Sequence, residues 1–212
     1  MTWTVVLPVK RLPAAKSRLR GALPGVPHER LALALAQDTV AAALACPPVT
    51  EVLVVTSDPA ATAVLGALGA RVVPDPPYPG LNPAFAAGAE LVSGSDRWVA
   101  ALTADLPALR PADLAGALRA AAHGPADVRH FVVDAPTTGT VLLTAPPGVP
   151  LDPRFGVGSA AAHGGSGALA LAGAWPTLRR DVDTAADLAA AASFGLGRHT
   201  AALLPSLAPA DS

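Results

Sequence analysis

The chain has no isoleucine, one cysteine, one asparagine, one glutamine and only two lysines in 212 residues. Each scarcity excludes something. A lone Cys46 cannot close a disulfide within the chain and rules out a multi-cysteine zinc site, so it reads as a small buried hydrophobe. Aromatic residues make up 4%, and no uninterrupted apolar stretch approaches the roughly 18 residues a membrane span needs. No basic region precedes the apolar run of "MTWTVVLPV", so neither a secretory leader nor a membrane partner is expected and the location is read as cytoplasmic. The formal net charge of −1 leaves no basic surface for nucleic acid. Any anion site must therefore be local.

What is present points to an α/β architecture. Short β-branched runs, "WTVVLPV" (3–9), "EVLVVTS" (51–57), "ARVVPD" (70–75) and "RWVAALTAD" (97–105), alternate with helix-forming segments at 28–45, 59–68, 82–92 and 111–122. Pro59 and Pro111 suit the first turn of a helix. Strands that are continuously apolar are expected in a parallel sheet covered by helices on both faces. The second half predicts strands in "VRHFVVDAP" and "GTVLLTA", a Gly-rich segment "FGVGSAAAHGGSGA" with a turn at Gly156 and Gly158, a helix opened by Ser159 and a flexible loop at "GGSGA", a short strand near "PTLRRDV", and a helix up to Ala192 with Thr184 as N-cap and Asp187 three residues on. Length and the absence of a linker predict a single domain over 1–212, with the tail beyond about 197 peripheral.

In open α/β sheets ligands bind beyond the carboxyl ends of the strands, and the polar clusters fall there. The first is the most pronounced. Both lysines, Lys10 and Lys16, lie in "VKRLPAAKSRLRG" with Arg11, Arg18 and Arg20, while the other ten arginines are scattered. A compact ammonium on a flexible stem can sit among several oxygens, whereas a guanidinium prefers a planar two-pronged contact. This is read as a local anion site; the plainer alternative is a solvated basic loop. Neither G-x-G-x-x-G nor G-x-x-x-x-G-K-[ST] occurs, which disfavours the usual dinucleotide fold and the P-loop.

Asp105 in "TADLP" ends an apolar run, where a carboxylate is costly without a purpose such as holding a cation. Asp181 and Asp183 in "RRDVDTAADL" sit before a helix. Two carboxylates with phosphate oxygens around a hard cation would make a Mg²⁺ site; otherwise the aspartates cap a turn and a helix. The histidines lack paired metal-ligand spacing, and "GGSGA" lacks the strand context of a nucleophile elbow.

The series "LPVKRLPAAKSRL", "VVTSD", "GLNPA", "TADLPAL", "GTVLL", "RFGVGS" and "DVDTAADL" resembles the guanylyltransferases of coenzyme F(420) biosynthesis, whose acceptor is 2-phospho-L-lactate or, in actinobacteria, phosphoenolpyruvate. The similarity runs to about Ala192. It implies a GT-A-like Rossmann-type nucleotidyltransferase fold with a mostly parallel sheet, and transfer of GMP from GTP to a small phosphorylated three-carbon acid. By the same resemblance, Pro8, Val9, Lys10, Lys16, Ser17, Arg18, Ser57, Asp58, Gly80, Leu81 and Asn82 bind the nucleotide. Lys16, Asp105 and Asp183 are catalytic, and the two aspartates hold Mg²⁺. Thr140, Gly156 and Ser159 bind the acceptor. "TGT" in place of the Asp-Arg-x-Gly-Gly-Thr-Asn pattern of archaeal relatives, with the Ala/Arg-rich composition, leans towards phosphoenolpyruvate. A homodimer is allowed for. A CTP- or UTP-dependent enzyme and a non-catalytic nucleotide-binding module remain as alternatives, since fold alone does not decide function.

Overall fold

The computed structural model describes residues 1–92 and 96–204, with the backbone but not the side chain of Ser17. Seven strands form one sheet: β1 (Trp3–Pro8), β2 (Val49–Val55), β3 (Arg71–Val73), β4 (Trp98–Leu102), β5 (His130–Val133), β6 (Thr140–Ala145) and β7 (Leu169–Ala170), in the order β3-β2-β1-β4-β6-β5-β7. Strands β1 to β4 are mutually parallel. β6 runs antiparallel to both β4 and β5, and β7 is parallel to β5.

Side chains along a strand point alternately to the two faces, and both faces here are apolar. Val5, Leu7, Val52, Val54, Ala100 and Leu102 pack with α1 (His28–Leu44) and α4 (Pro111–Ala122) through Val40, Leu114 and Leu118. On the opposite face Val6, Leu53, Val55 and Ala101 meet Phe85 of α3 (Leu81–Glu90) and Phe155. Gly88 of α3 lies so close to β1 that an added Cβ would collide with Val6 and come within 3.1 Å of Val55. A third cluster, with Leu19, Leu31, Leu35, Val182 and Leu188, closes the loop after β1 onto α1 and α6 (Ala185–Ala192).

Local signals act where expected: Pro59 and Pro111 stand in the first turns of α2 (Pro59–Ala67) and α4, and Thr184 with Asp187 forms a capping box on α6. Asp58 caps α2 by accepting from Ala60 and Ala61 N–H. One element differs from expectation. Residues 176–179 form a turn instead of a strand, because Thr177 is held to the first turn of α4: its hydroxyl donates to Asp113 (2.6 Å) and accepts from Arg110 N–H. The strand at that edge of the sheet is β7. Ser159 opens a helix as expected, α5 (Ser159–Gly165), anchored by buried Ser159 and His163 and reaching into the first glycines of "GGSGA".

The segment after 197 begins with α7 (Arg198–Ala201), which Asp38 of α1 caps by accepting from His199 and Thr200 N–H. The rest of the tail expected at the periphery, 205–212, lies outside the described residues. Among the described residues no helix is long and apolar enough to cross a membrane.

Candidate active site

The chain leaves β1 through α1 towards β2 and β3, then returns through α3 to place β4 on the other side of β1. Such a reversal opens a crevice at the carboxyl ends of the two central strands. A cleft of about 850 Å³ lies there, lined by the loop after β1, the segment after β4, the β5–β6 hairpin, residues 155–159 and the aspartates before α6.

The loop after β1 is shaped by its apolar residues. Leu12 and Leu19 are buried and Leu12 N–H donates to Asp58 (3.0 Å), so the loop is pinned at both ends while Lys10 and Arg18 stay exposed. Between two 3-10 turns (Leu12–Ala14 and Ser17–Leu19), Lys16 adopts a left-handed backbone with φ 51°. A non-glycine residue pays about 1–2 kcal/mol for that conformation. The ammonium is paired with Asp105 and lies 2.6 Å from Asp183. Burial alone would lower the Lys16 pKa, but the charges of Asp105 and Asp183 outweigh it and hold the ammonium charged above its ordinary range.

The two aspartates meet because their backbones are tied. Val182 N–H donates to Asp105 C=O (3.0 Å), Leu106 N–H is held by Thr39 Oγ1, and Asp183 N–H bonds to the capping-box carboxylate of Asp187. Asp181 and Asp134 complete the acidic lining. Asp181 has its pKa pushed up to about 7, first by burial and then by the negative charges of Asp105, Asp134 and Asp183. Asp134 closes the hairpin between β5 and β6, its carboxylate accepting from Thr138 and Gly139 N–H. Sequence reasoning missed it. The signal was the one used for Asp105: a carboxylate directly after an apolar run.

Of the expected nucleotide residues, Pro8, Val9, Lys10, Lys16, Arg18 and Leu81 line the cleft; the Ser17 side chain lies outside the described residues. Ser57, Asp58, Gly80 and Asn82 are not in its lining, and the structure uses them to hold its walls. Ser57 and Asp75 exchange hydrogen bonds, Ser57 N–H to the Asp75 carboxylate and Asp75 N–H to the Ser57 hydroxyl. Asp58 serves α2 and Leu12, and its pKa lies low: desolvation opposes this, and bonds from Ala61, Leu12 and Ala60 N–H win. Gly80 precedes α3 with φ 142°, a conformation only glycine adopts readily. The lone asparagine grips the backbone of Phe155, donating to its C=O (3.0 Å) and accepting from its N–H (2.7 Å).

The expected acceptor residues Thr140, Gly156 and Ser159 all line the cleft. They arrive from different directions. Because β6 is antiparallel, its first residue, Thr140, lies at the edge where β4 ends; Thr103 N–H bonds to Val141 C=O there.

Among the described residues no group of three or more His, Cys, Asp or Glu is already arranged around a metal position. The pair Asp105 and Asp183 nevertheless suits a hard divalent cation. Both offer carboxylate oxygens, Asp105 Oδ1 is buried without a hydrogen-bond partner, and such an oxygen gains from a cation.

A sheet reversing at β1 and β4, with lysine and carboxylates gathered in the crevice, is an arrangement suited to binding a nucleotide at the switch point of the sheet. The MobA-like NTP transferase domain matches residues 28–150. Two solved structures share the fold: a nucleotidyl transferase from Methanothermobacter thermautotroptrophicus (TM-score 0.62, 18% identity, 91% of this chain and 97% of that one) and a putative nucleotide-diphospho-sugar transferase from Desulfovibrio desulfuricans (0.63, 15%, 96% and 94%). Phosphoenolpyruvate guanylyltransferases are much nearer in sequence. The protein of that name from Salinispora arenicola is 66% identical over 98% of this chain and 95% of its own length, and that of Geodermatophilus obscurus 59% over 95% and 94%. The chain belongs to this guanylyltransferase family of MobA-like NTP transferases and is a nucleotidyltransferase enzyme.

Proposed function

We propose that the enzyme transfers GMP from GTP to phosphoenolpyruvate, giving enolpyruvyl-diphospho-5′-guanosine and pyrophosphate, as a step in coenzyme F(420) biosynthesis. The observation that carries this reading is one cleft that contains Lys16, Asp105 and Asp183 together with Thr140, Gly156 and Ser159. The names of the two relatives above supply GTP and phosphoenolpyruvate as the substrates to test.

In this reaction an oxygen of the acceptor phosphate attacks the α-phosphorus of GTP. The bond from that phosphorus to the oxygen bridging to the β-phosphorus breaks, and the electron pair leaves with pyrophosphate. The attacking oxygen is already anionic, so no base is required, and the protein has to align and neutralise two groups that repel one another. Lys10, Lys16 and Arg18, on the β1 side of the cleft, would hold the triphosphate. Asp105 and Asp183 would hold Mg²⁺, which offsets negative charge on the leaving group.

Pro8, Val9 and Leu81 offer backbone and apolar surface to the base and ribose. On the β6 side, the Thr140 hydroxyl, Ser159 and the turn through Gly156 and Gly158 (φ 136° and 72°) would receive the acceptor anion. Glycines there let backbone N–H groups turn towards an anion.

Mass spectrometry of the purified protein with GTP, Mg²⁺ and either phosphoenolpyruvate or 2-phospho-L-lactate tests this reading. The expected product forms with phosphoenolpyruvate. Product from 2-phospho-L-lactate alone would change the acceptor, and preference for CTP or UTP would overturn the nucleotide. GTP binding with no product from either acceptor would point to a different acceptor.

A further inference from the structure

His163 of α5 is wholly buried beside the rings of Phe155 and Phe131, with centroids 5.1 and 5.8 Å away. Its two ring nitrogens have different partners. Nε2 accepts the backbone N–H of Arg154 at 2.9 Å, so that nitrogen must present a lone pair. A neutral ring then carries its proton on Nδ1, which lies 2.9 Å from Thr140 Oγ1. The threonine hydroxyl accepts this bond and its own proton remains for another acceptor. Thr140 lines the cleft.

The surroundings keep the ring neutral. Burial lowers its pKa, the Arg129 guanidinium lowers it further against the opposing charge of Asp152, and the result is about 4. A charged ring would present a donor to the Arg154 N–H, and the pairing would be lost.

We propose that His163 is a positioning residue that fixes the Thr140 hydroxyl as a hydrogen-bond donor to an anionic group of the acceptor. The ring also ties this hydroxyl to the backbone at Arg154, next to Phe155 and the glycine turn. The inference rests on the acceptor side assigned above. It goes further in stating which way one hydroxyl donates and what holds it.

Steady-state kinetics of the full chain, with the KM for phosphoenolpyruvate and for GTP measured separately, tests it through three variants. An asparagine amide can replace the Nδ1 donor, and a glutamine amide can replace the Nε2 acceptor. His163→Gln and Thr140→Val are expected to raise the phosphoenolpyruvate KM roughly tenfold or more, as befits loss of a hydrogen bond to a charged group, with the GTP KM changed little. His163→Asn recovers most of that loss. Equal impairment by Asn and Gln would overturn the proposal, since a merely structural histidine makes no such distinction.

If Thr140→Val raises the acceptor KM and His163→Gln does not, the positioning role alone fails. If Thr140→Val leaves it unchanged, the acceptor side is wrong and the proposal falls with it. Should the variants not fold, ¹⁵N NMR of the wild-type ring decides: a proton on Nδ1 is expected, and a proton on Nε2 overturns the assignment.

Discussion

Lys16 Nζ lies 2.6 Å from Asp183 Oδ1 and is also paired with Asp105, so one ammonium joins three segments that the sequence keeps far apart. A divalent cation held by the two aspartates, as proposed above, would compete with this ammonium for the same oxygens. In Lys16→Ala two neighbouring carboxylates lose their common partner, and Mn²⁺ alone, followed by electron paramagnetic resonance, is expected to bind this variant more tightly than wild type. Its turnover should nearly vanish. Lys16→Arg should also fail in turnover, because a planar fork cannot take the place of a compact ammonium. Unchanged or weaker Mn²⁺ binding by Lys16→Ala would remove the ammonium from the cation position.

Asp105→Asn and Asp183→Asn are each expected to abolish metal-dependent turnover, since an amide keeps the shape and loses the charge that holds a hard cation. Asp105 carries the unpartnered buried oxygen and should show the larger loss of Mn²⁺ affinity. Full activity in Asp183→Asn with none in Asp181→Asn would transfer the role to Asp181.

The raised pKa of Asp181, about 7, has a definite sign. The folded state holds a proton that the unfolded chain has already released, so stability falls as pH rises from about 4 to about 7. With metal removed by a chelator, Asp181→Asn should gain melting temperature relative to wild type as the buffer moves from about pH 5 to about pH 8. A constant difference across that range would mean that the neighbouring charges do not act on Asp181.

His163 works in the opposite sense. Its pKa is lowered from 6.5 to about 4, so the stability it contributes is present above about 6.5 and is lost as pH falls towards 4. The acid limb of the wild-type stability curve should be steeper in that window than that of His163→Phe. Parallel curves for the two proteins would contradict the assignment.

Gly88→Ala should destabilise the protein by about 1–3 kcal/mol, the usual effect of forcing extra atoms into a packed core, because the new methyl would collide with Val6. Urea unfolding measures it. A variant as stable as wild type would show that α3 can move outward freely.

Much of this arrangement is legible in the sequence because its causes are local. Proline at first turns, the Thr184/Asp187 capping box and apolar runs ended by polar residues each act within a few positions, and β1, β4, α2, α4 and α6 form close to where they are expected. The misreadings have non-local causes. Thr177 takes up a turn because Asp113, 64 positions away, receives its hydroxyl. Asp58 and Asn82, expected to bind the nucleotide, are a different case: they lie outside the lining of the cleft, with side chains bonded to backbone at Leu12 and Phe155. No sequence pattern distinguishes a polar side chain that holds a loop from one that faces a ligand.

The reversed direction of β6 has a bearing on how the enzyme could be altered. The hairpin between Val133 and Thr140 is braced internally, by the Asp134 carboxylate on Thr138 and Gly139 N–H, and it meets the cleft at the amino end of its second strand. It is tied outward through Ala135 N–H to Arg179 C=O and Ala160 N–H to Thr138 C=O, so a change of its tip that keeps those ties would leave the four parallel strands and their loops as they are. On the assignment proposed above, selectivity for the small acid would be written in this short hairpin and retention of the nucleotide in the loop after β1, and the two could drift independently.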